Sequence, residues 1–333
     1  MKSAFIGRAD IIRNVYTPAQ QAELAALLGV DADDVLTKEA VLAEPARTAD
    51  TEYLFSTWGM PAFSEEEIAT CFPHLKAVFY GAGSVQGFAR PFLNRGVRVF
   101  SAWAANAVPV AEYAVAQILL ANKGYFAASR LCVDGGYGAA RKAFESFPGN
   151  YGCRVGLLGA GMIGSLVAEL LRDRVLEVLV FDPFLSDERA AALGVRKAGL
   201  EEVFATCQTI SNHLANNPQT VGMLNGALFE TMKDNVTFIN TGRGAQVVEE
   251  DLCDALDKRP FATAVLDVTW PEPPVAGHRF YSMPNVVLTP HIAGSAGDEV
   301  HRMAAYMIEE YRAVAAGEPV RYEVNLEMLR TMA

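Results

Sequence analysis

Residues 154–164 read RVGLLGAGMIG, and no other stretch restricts the fold of this chain as tightly. Val155, Leu157 and Leu158 belong to a short apolar run suited to a buried parallel strand. Gly159, Gly161 and Gly164 follow at G-x-G-x-x-G spacing, and a helical pattern opens over Ile163–Leu171. The first glycine permits the tight turn out of the strand. The second lets the backbone approach a pyrophosphate, and the third lets helix and strand pack closely. The helix N-terminus then turns free N–H groups and a partial positive charge toward phosphate oxygens. A lone match of this kind is weak, but here strand, glycines and helix stand in the order the mechanism needs. The next strand, Leu176–Phe181, ends at Asp182, eighteen residues after Gly164. A carboxylate there takes the ribose hydroxyls of NAD and repels the 2′-phosphate of NADP. The expected cofactor is therefore NAD, with Gly159, Gly161, Met162, Ile163 and Asp182 among its contacts.

Around this motif, short β-rich runs alternate with helical patterns, the signature of parallel βαβ architecture. With 333 residues, 51% of them hydrophobic, the chain can build two domains with cores. No repeat and no Pro-, Gly- or Ser-rich linker interrupts it. In the first third, strands are expected at Ser3–Gly7, Glu52–Ser56, Lys76–Tyr80 and Val97–Ser101. Helices are expected at Pro18–Leu28 and Ser64–Cys71, with Ser64 and Glu67 at capping-box spacing. Val108–Asn122 is apolar on nearly every side and reads as a buried helix, stopped at Gly124. The glycine-rich stretch 132–150 reads as a surface excursion. Later strands are expected at Arg154–Leu158, Thr209–Asn212, Val236–Asn240, Phe261–Leu266 and Val286–Thr289, with helices at Gly226–Met232 and Glu249–Lys258. Asp298–Ala316 is an amphipathic helix with Val300, Met303, Ala304, Met307, Ile308, Tyr311 and Val314 on one face, ended by Gly317.

The net charge of −11 argues against a nucleic-acid partner, which needs clustered Lys and Arg. No run of 18 apolar residues marks a membrane span, and the N-terminus lacks the apolar core of a signal peptide. Five scattered cysteines, with no CxxC pair, fit reduced thiols in a cytoplasm and point to no metal site. The sequon Asn235-Val236-Thr237 is a chance match on this reading.

Ligands of an open parallel sheet bind beyond the carboxyl ends of its strands. Three strands end in chemically loaded segments: Thr241-Gly242-Arg243-Gly244 after Val236–Asn240, Asp267 and then Pro271-Glu272-Pro273 after Phe261–Leu266, and Pro290-His291-Ile292-Ala293-Gly294 after Val286–Thr289. This set fits carbonyl reduction. His291 as imidazolium can give a proton to the oxygen as hydride reaches the carbon, and Glu272 beside it favours the charged ring. Arg243 can hold a substrate carboxylate and polarise the carbonyl. Asp267 meets the nicotinamide end of the cofactor or orients Arg243. Taken singly, each has an ordinary reading: a partly buried histidine, a loop arginine, a turn glutamate. His74, His278 and His301 are read in that ordinary way.

Together these segments resemble the D-isomer-specific 2-hydroxyacid dehydrogenases, a family that includes glyoxylate/hydroxypyruvate reductases, D-lactate dehydrogenases and 3-phosphoglycerate dehydrogenases. The resemblance spans roughly residues 50–316. It is carried by Gly81-Ala82-Gly83, Asn106–Glu112, the glycine fingerprint, Ser211-Asn212-His213, Met232–Gly244, Leu266-Asp267-Val268 with Pro271-Glu272-Pro273, and Thr289–Ser295. It implies Arg243, Glu272 and His291 as the catalytic three, and backbone N–H groups of Ala82 and Gly83 at the substrate carboxylate. It places His213, Thr241, Asp267, His291 and Gly294 at the cofactor. It further implies an α/β fold of two domains with parallel sheets. One is a Rossmann-type NAD-binding domain over 105–296; the other is a flavodoxin-like substrate-binding domain over 1–104 and 297–333. A homodimer through the cofactor domain and a small 2-oxo or 2-hydroxy acid substrate of D configuration are also implied.

The chain departs from the family after the Gly-Ala turn, where Gly83-Ser84-Val85-Gln86-Gly87-Phe88 lacks the usual acidic and asparagine positions. Trp58 and Trp103 stand at strand ends and either wall the substrate pocket or belong to core or interface. No cluster of arginines marks a phosphate subsite, although Arg90 is a candidate. The end at residue 333 is read as too early for an appended regulatory domain. Two other readings remain beside the enzyme: a non-catalytic NAD(H)-sensing protein of the same fold, and a related NAD enzyme such as a formate or phosphonate dehydrogenase.

Overall fold

The computed structural model describes residues 2–330, and the chain divides into two compact units: Met1–Asn106 with Ser295–Ala333, and Ala107–Gly294. In the first, β1 (Ser3–Phe5), β2 (Tyr53–Ser56), β3 (Ala77–Tyr80) and β4 (Arg98–Ser101) pair in parallel in chain order. Leu36 extends this sheet by a single bridge outside β1: its N–H donates to Phe5 O and its carbonyl accepts from Gly7 N–H. Counting Leu36 as the second strand gives the order 2-1-3-4-5, that of a flavodoxin-like sheet. The core beneath it is strongly aromatic. Phe55 and Phe79 stack at 5.0 Å, and Phe79 and Phe100 at 4.9 Å, on three successive strands. Ser64 and Glu67 form the expected capping box at the start of helix Glu65–Cys71.

The second unit holds β5 (Cys153–Leu158), β6 (Leu176–Phe181), β7 (Arg196–Lys197), β8 (Thr209–Asn212), β9 (Thr237–Asn240), β10 (Thr263–Leu266) and β11 (Val286–Leu288). All pairs are parallel, in the order β11-β10-β9-β8-β5-β6-β7. This is the doubly wound order, with the strand reversal beside β5. Strands β8, β9 and β10 are buried along their whole length because both faces are covered. Val155, Leu157, Val178, Val180, Ile239 and Val265 face one core; Leu179, Ile210, Phe238, Ala264 and Leu266 face the other. Two-residue alternation divides each strand between them. The chain then returns to the first unit, where helix Val300–Ala316 buries Val300, Met303, Ala304, Met307 and Ile308, and β12 (Glu323–Val324) adds antiparallel to β4.

Two expectations are corrected. Residues 132–150 lie largely at the surface as expected, but they are helical: Tyr125–Asp134 and Gly136–Phe144 fill most of the stretch and pack on each other. Gly135, Gly136 and Gly138 hide the pattern, while buried Ala127, Ala140 and Ala143 supply the packing that overrides poor propensity. Helix Trp103–Asn122 is long and apolar enough by composition to cross a membrane, yet it is not buried all round. Ala107, Ala111, Ala114, Ile118 and Ala121 form one buried stripe, while Glu112 and Leu120 are exposed. Gly124 follows it at φ 68°, where a Cβ would overlap the Phe147 ring.

Candidate active site

The glycine turn after β5 is shaped by what lies against it. Gly159 has φ 94°, and a Cβ there would come 2.8 Å from the His213 carbonyl oxygen. A Cβ on Gly164 would overlap the Gly159 carbonyl. Gly161 differs: no atom lies within 4 Å of where its Cβ would be, although it is the N-cap of helix Met162–Leu171 and no side chain caps that helix. The open space and the uncapped first turn fit a pyrophosphate close to the backbone. Asp182 stands at the end of β6 as expected. Its Oδ2 accepts from Ala160 N–H at 2.6 Å and its Oδ1 from Phe184 N–H at 2.8 Å. Arg189 cross-braces the same turn through Ala160 O at 2.8 Å and Ser165 Oγ at 2.7 Å. His213, at the end of β8, is buried with Nε2 3.0 Å from Ser211 Oγ and Nδ1 3.3 Å from Thr241 Oγ1. Burial pulls its pKa down to about 4, so this ring is neutral at pH 7.

Arg243 is set by a buried amide network. Asn212 Nδ2 donates to Asn240 Oδ1 at 3.0 Å and to Gln246 Oε1 at 2.7 Å. Those acceptors in turn hold the N–H groups of Gly242 and Arg243, each at 3.1 Å. Gln246 Nε2 is satisfied by the carbonyls of Leu214 and Ala215. Gly244 is a steric requirement, because a Cβ would overlap the Thr269 backbone. Arg243 itself donates from Nη1 to Gly242 O at 2.8 Å. Burial lowers its pKa from the ordinary value while the charge of Glu272 opposes the shift, and a guanidinium keeps its proton throughout.

His291 is the one non-glycine residue at positive φ, 57°, among the described residues. Such a conformation persists only where its surroundings hold it, and it gathers at functional sites. The hold is Asp267. Its carbonyl accepts from His291 N–H at 3.0 Å, Oδ1 accepts from Thr289 Oγ1 at 2.6 Å and Ile292 N–H at 2.8 Å, and Oδ2 accepts from Ala293 N–H at 2.9 Å. The Asp267 carboxylate is thus committed to the histidine loop; Arg243 is held by the amide network instead. The His291 ring, presented in this way, bonds Glu272 Oε1 through Nδ1 at 2.8 Å, with both side chains nearly half exposed, 46% and 42%. That leaves Nε2 as the nitrogen able to meet a reacting oxygen.

In the other unit, Gly81-Ala82-Gly83 follows β3. Thr57 Oγ1 donates to Gly81 O, Ser101 Oγ to the carbonyls of Ala82 and Gly83, and Gly81 N–H to Ser56 O. With the carbonyls so engaged, the N–H groups of Ala82 and Gly83 are the polar groups left at the turn. Trp58 is exposed at the end of β2. Trp103 packs on the core instead, edge-on to Tyr322 at 5.7 Å.

Residues 115–293 match the family described as D-isomer specific 2-hydroxyacid dehydrogenase, NAD binding domain. The chain is 34% identical over 233 residues to a D-3-phosphoglycerate dehydrogenase of Archaeoglobus fulgidus, covering 70% of this chain and 44% of that one. It is 31% identical over 313 residues to the D-3-phosphoglycerate dehydrogenase of Mycobacterium tuberculosis, covering 92% and 55%. The chain spans about half the length of the curated relatives it matches. Among solved structures it is similar to a D-isomer specific 2-hydroxyacid dehydrogenase from Lactobacillus delbrueckii ssp. bulgaricus in its NAD complexed form. There the TM-score is 0.77 at 20% identity, covering 98% of this chain and 100% of that one. D-2-hydroxyisocaproate dehydrogenase gives 0.74 at 20%, covering 97% and 99%. At this identity the structural likeness speaks to fold.

Proposed function

This chain belongs to the D-isomer specific 2-hydroxyacid dehydrogenase family, and we propose that it interconverts a 2-oxo acid and a D-2-hydroxy acid with NAD as cofactor. The observation that carries the reading is the solvent-accessible His291–Glu272 pair at 2.8 Å, on the same sheet edge as Arg243. Bound NADH supplies the hydride. His291 gives the matching proton from Nε2 to the carbonyl oxygen, so that hydride and proton together add across the C=O bond. In oxidation the same nitrogen takes the proton back. Glu272 orients the ring through Nδ1 and offsets the charge the ring carries before it donates. Arg243 binds the substrate carboxylate and draws charge toward the carbonyl oxygen as alkoxide character develops.

Ala82 and Gly83 contribute backbone N–H groups to the substrate carboxylate, and Trp58 contacts the substrate. Gly159, Gly161, Met162 and Ile163 cradle the pyrophosphate. Asp182 faces the adenosine ribose and selects NAD over NADP, while His213, Thr241, Asp267 and Gly294 line the remainder of the cofactor site. We also propose a homodimer through this unit. Leu120, Tyr125, Val133, Tyr137 and Tyr151 are exposed within residues 120–151, apolar side chains that a second copy would cover.

The test is NADH oxidation with glyoxylate, hydroxypyruvate, pyruvate, phenylpyruvate, branched 2-oxo acids and phosphohydroxypyruvate, with NADPH in parallel. Turnover of at least one acid with NADH supports the reading and names the substrate class. No turnover across the panel with NADH bound removes it, and a strong NADPH preference removes the role given to Asp182.

A further inference from the structure

Glu272 stands on an exposed segment. From Trp270 to Gly277 only Pro274 is even half-buried, and Trp270 is 68% exposed. Apolar burial cannot fix a loop of this kind, so polar ties must. Two of them end on one carboxylate. Glu249, the first residue of helix Glu249–Asp257, accepts from Trp270 N–H through Oε1 at 2.8 Å, and its Oε2 lies 3.2 Å from His278 Nε2. The two side chains are each only 10% exposed.

The ring of His278 is not free to face either way. Its Nδ1 accepts from Phe280 N–H at 3.2 Å and is therefore bare, so the ring proton sits on Nε2, the nitrogen that lies 3.2 Å from Glu249 Oε2. Trp270 and His278 bracket the segment that carries Glu272, and one side chain from a neighbouring helix joins both ends. Shorter ties brace the interior: Thr269 Oγ1 to Pro271 O at 3.0 Å and Tyr281 Oη to Pro274 O at 3.2 Å. A carboxylate this deeply placed is costly without partners, and the Trp270 N–H donor and the His278 ring edge are what make its burial tolerable.

We propose that Glu249, together with His278, is a positioning residue: by clasping both ends of the Trp270–His278 loop it holds Glu272 at hydrogen-bond distance from His291. This rests on the dehydrogenase reading for its consequence in rate, and on geometry alone for its consequence at His291. Glu249→Ala removes both ties. Glu249→Gln keeps an oxygen for Trp270 N–H but turns an amide N–H toward His278, opposing the proton already on Nε2. It serves as the conservative variant and as the one to use if the alanine variant does not fold.

The test has two arms on the full chain. In imidazole nitrogen NMR, with signals assigned through His278→Ala and His291→Ala, wild-type His278 shows a bare Nδ1 and a protonated Nε2 at pH 7.5. Glu249→Ala and Glu249→Gln move the His291 ring signals although neither residue touches that ring. In steady-state reduction, Glu249→Ala lowers kcat on the order of tenfold, the scale of a misplaced catalytic group, with KM for NADH unchanged. The glutamine variant falls between it and wild type. In a Glu272→Gln background the same substitution has no further effect, because it acts only through Glu272. An unmoved His291 signal, or losses that simply add in the double variant, overturns the proposal. If the wild type turns over no 2-oxo acid, the dehydrogenase reading fails on its own and the His291 signal still decides this inference.

Discussion

Two histidine–glutamate pairs stand on the same unit and are built to opposite ends. His291 and Glu272 are nearly half exposed, and one ring nitrogen of His291 has no partner among the described residues. His278 and Glu249 are almost buried, and both ring nitrogens of His278 are engaged. In the first pair His291 sits on a loop whose backbone is forced to φ 57°; in the second Glu249 opens a helix and His278 caps a short 3-10 turn with ordinary dihedrals. The same two residue types therefore do different things according to burial and to what occupies the second nitrogen. An exposed pair with a spare nitrogen can exchange a proton. A buried pair with none spare can only hold.

Breaking the exposed pair has the largest expected effect, and it falls on rate. Glu272→Gln lowers kcat for reduction by about 10²-fold, as removal of a general-acid partner does, and leaves the unfolding free energy from urea titration within about 0.5 kcal/mol of wild type. A comparable loss of stability would erase the contrast. His213 extends the comparison to a third ring, buried between Ser211 and Thr241. Its pKa is about 4 folded against 6.5 for the free ring, so the unfolded chain binds the extra proton first. Stability from this group is full above pH 6.5 and is lost as pH falls toward 4, by about 3 kcal/mol in all. Urea titrations across that window, with His213→Gln as the variant that flattens the curve, measure it. His278→Ala leaves the buried Glu249 carboxylate without one of its two polar neighbours and costs about 1–3 kcal/mol in the same assay. The smallest effect has the opposite sign. His291→Gly relieves the positive φ and raises stability by about 0.5–1 kcal/mol while abolishing turnover. A destabilised glycine variant would mean that the loop is not strained.

The contrast also marks how far the sequence could be read. The glycine fingerprint, Asp182 and the strand ends are local patterns, and in a parallel sheet every strand end falls on one edge. Arg243, Glu272 and His291 could therefore be grouped before any coordinate was known. Helices Tyr125–Asp134 and Gly136–Phe144 were not legible, because their glycines argue against helix and the packing that wins lies between them. The single bridge at Leu36 has no length to detect. The clasps were hidden for a different reason. Asn212, Asn240 and Gln246 converge from two strands and a turn, and Glu249 reaches a loop that begins 21 residues later. Nothing in the spacing of such residues separates a buried hydrogen-bond partner from an exposed polar one. Polar residues just before a strand ends, or at the first turn of the following helix, are the weak signal that was available.

The central claim, that an open histidine on this sheet edge carries the proton, is tested most directly by measuring NADH binding and turnover together in His291→Ala. NADH fluorescence titration is expected to give a Kd within about twofold of wild type, since His291 supplies chemistry more than affinity, while turnover of the best 2-oxo acid falls by at least about 10²-fold. Turnover within a few-fold of wild type, with NADH still bound, would contradict the account.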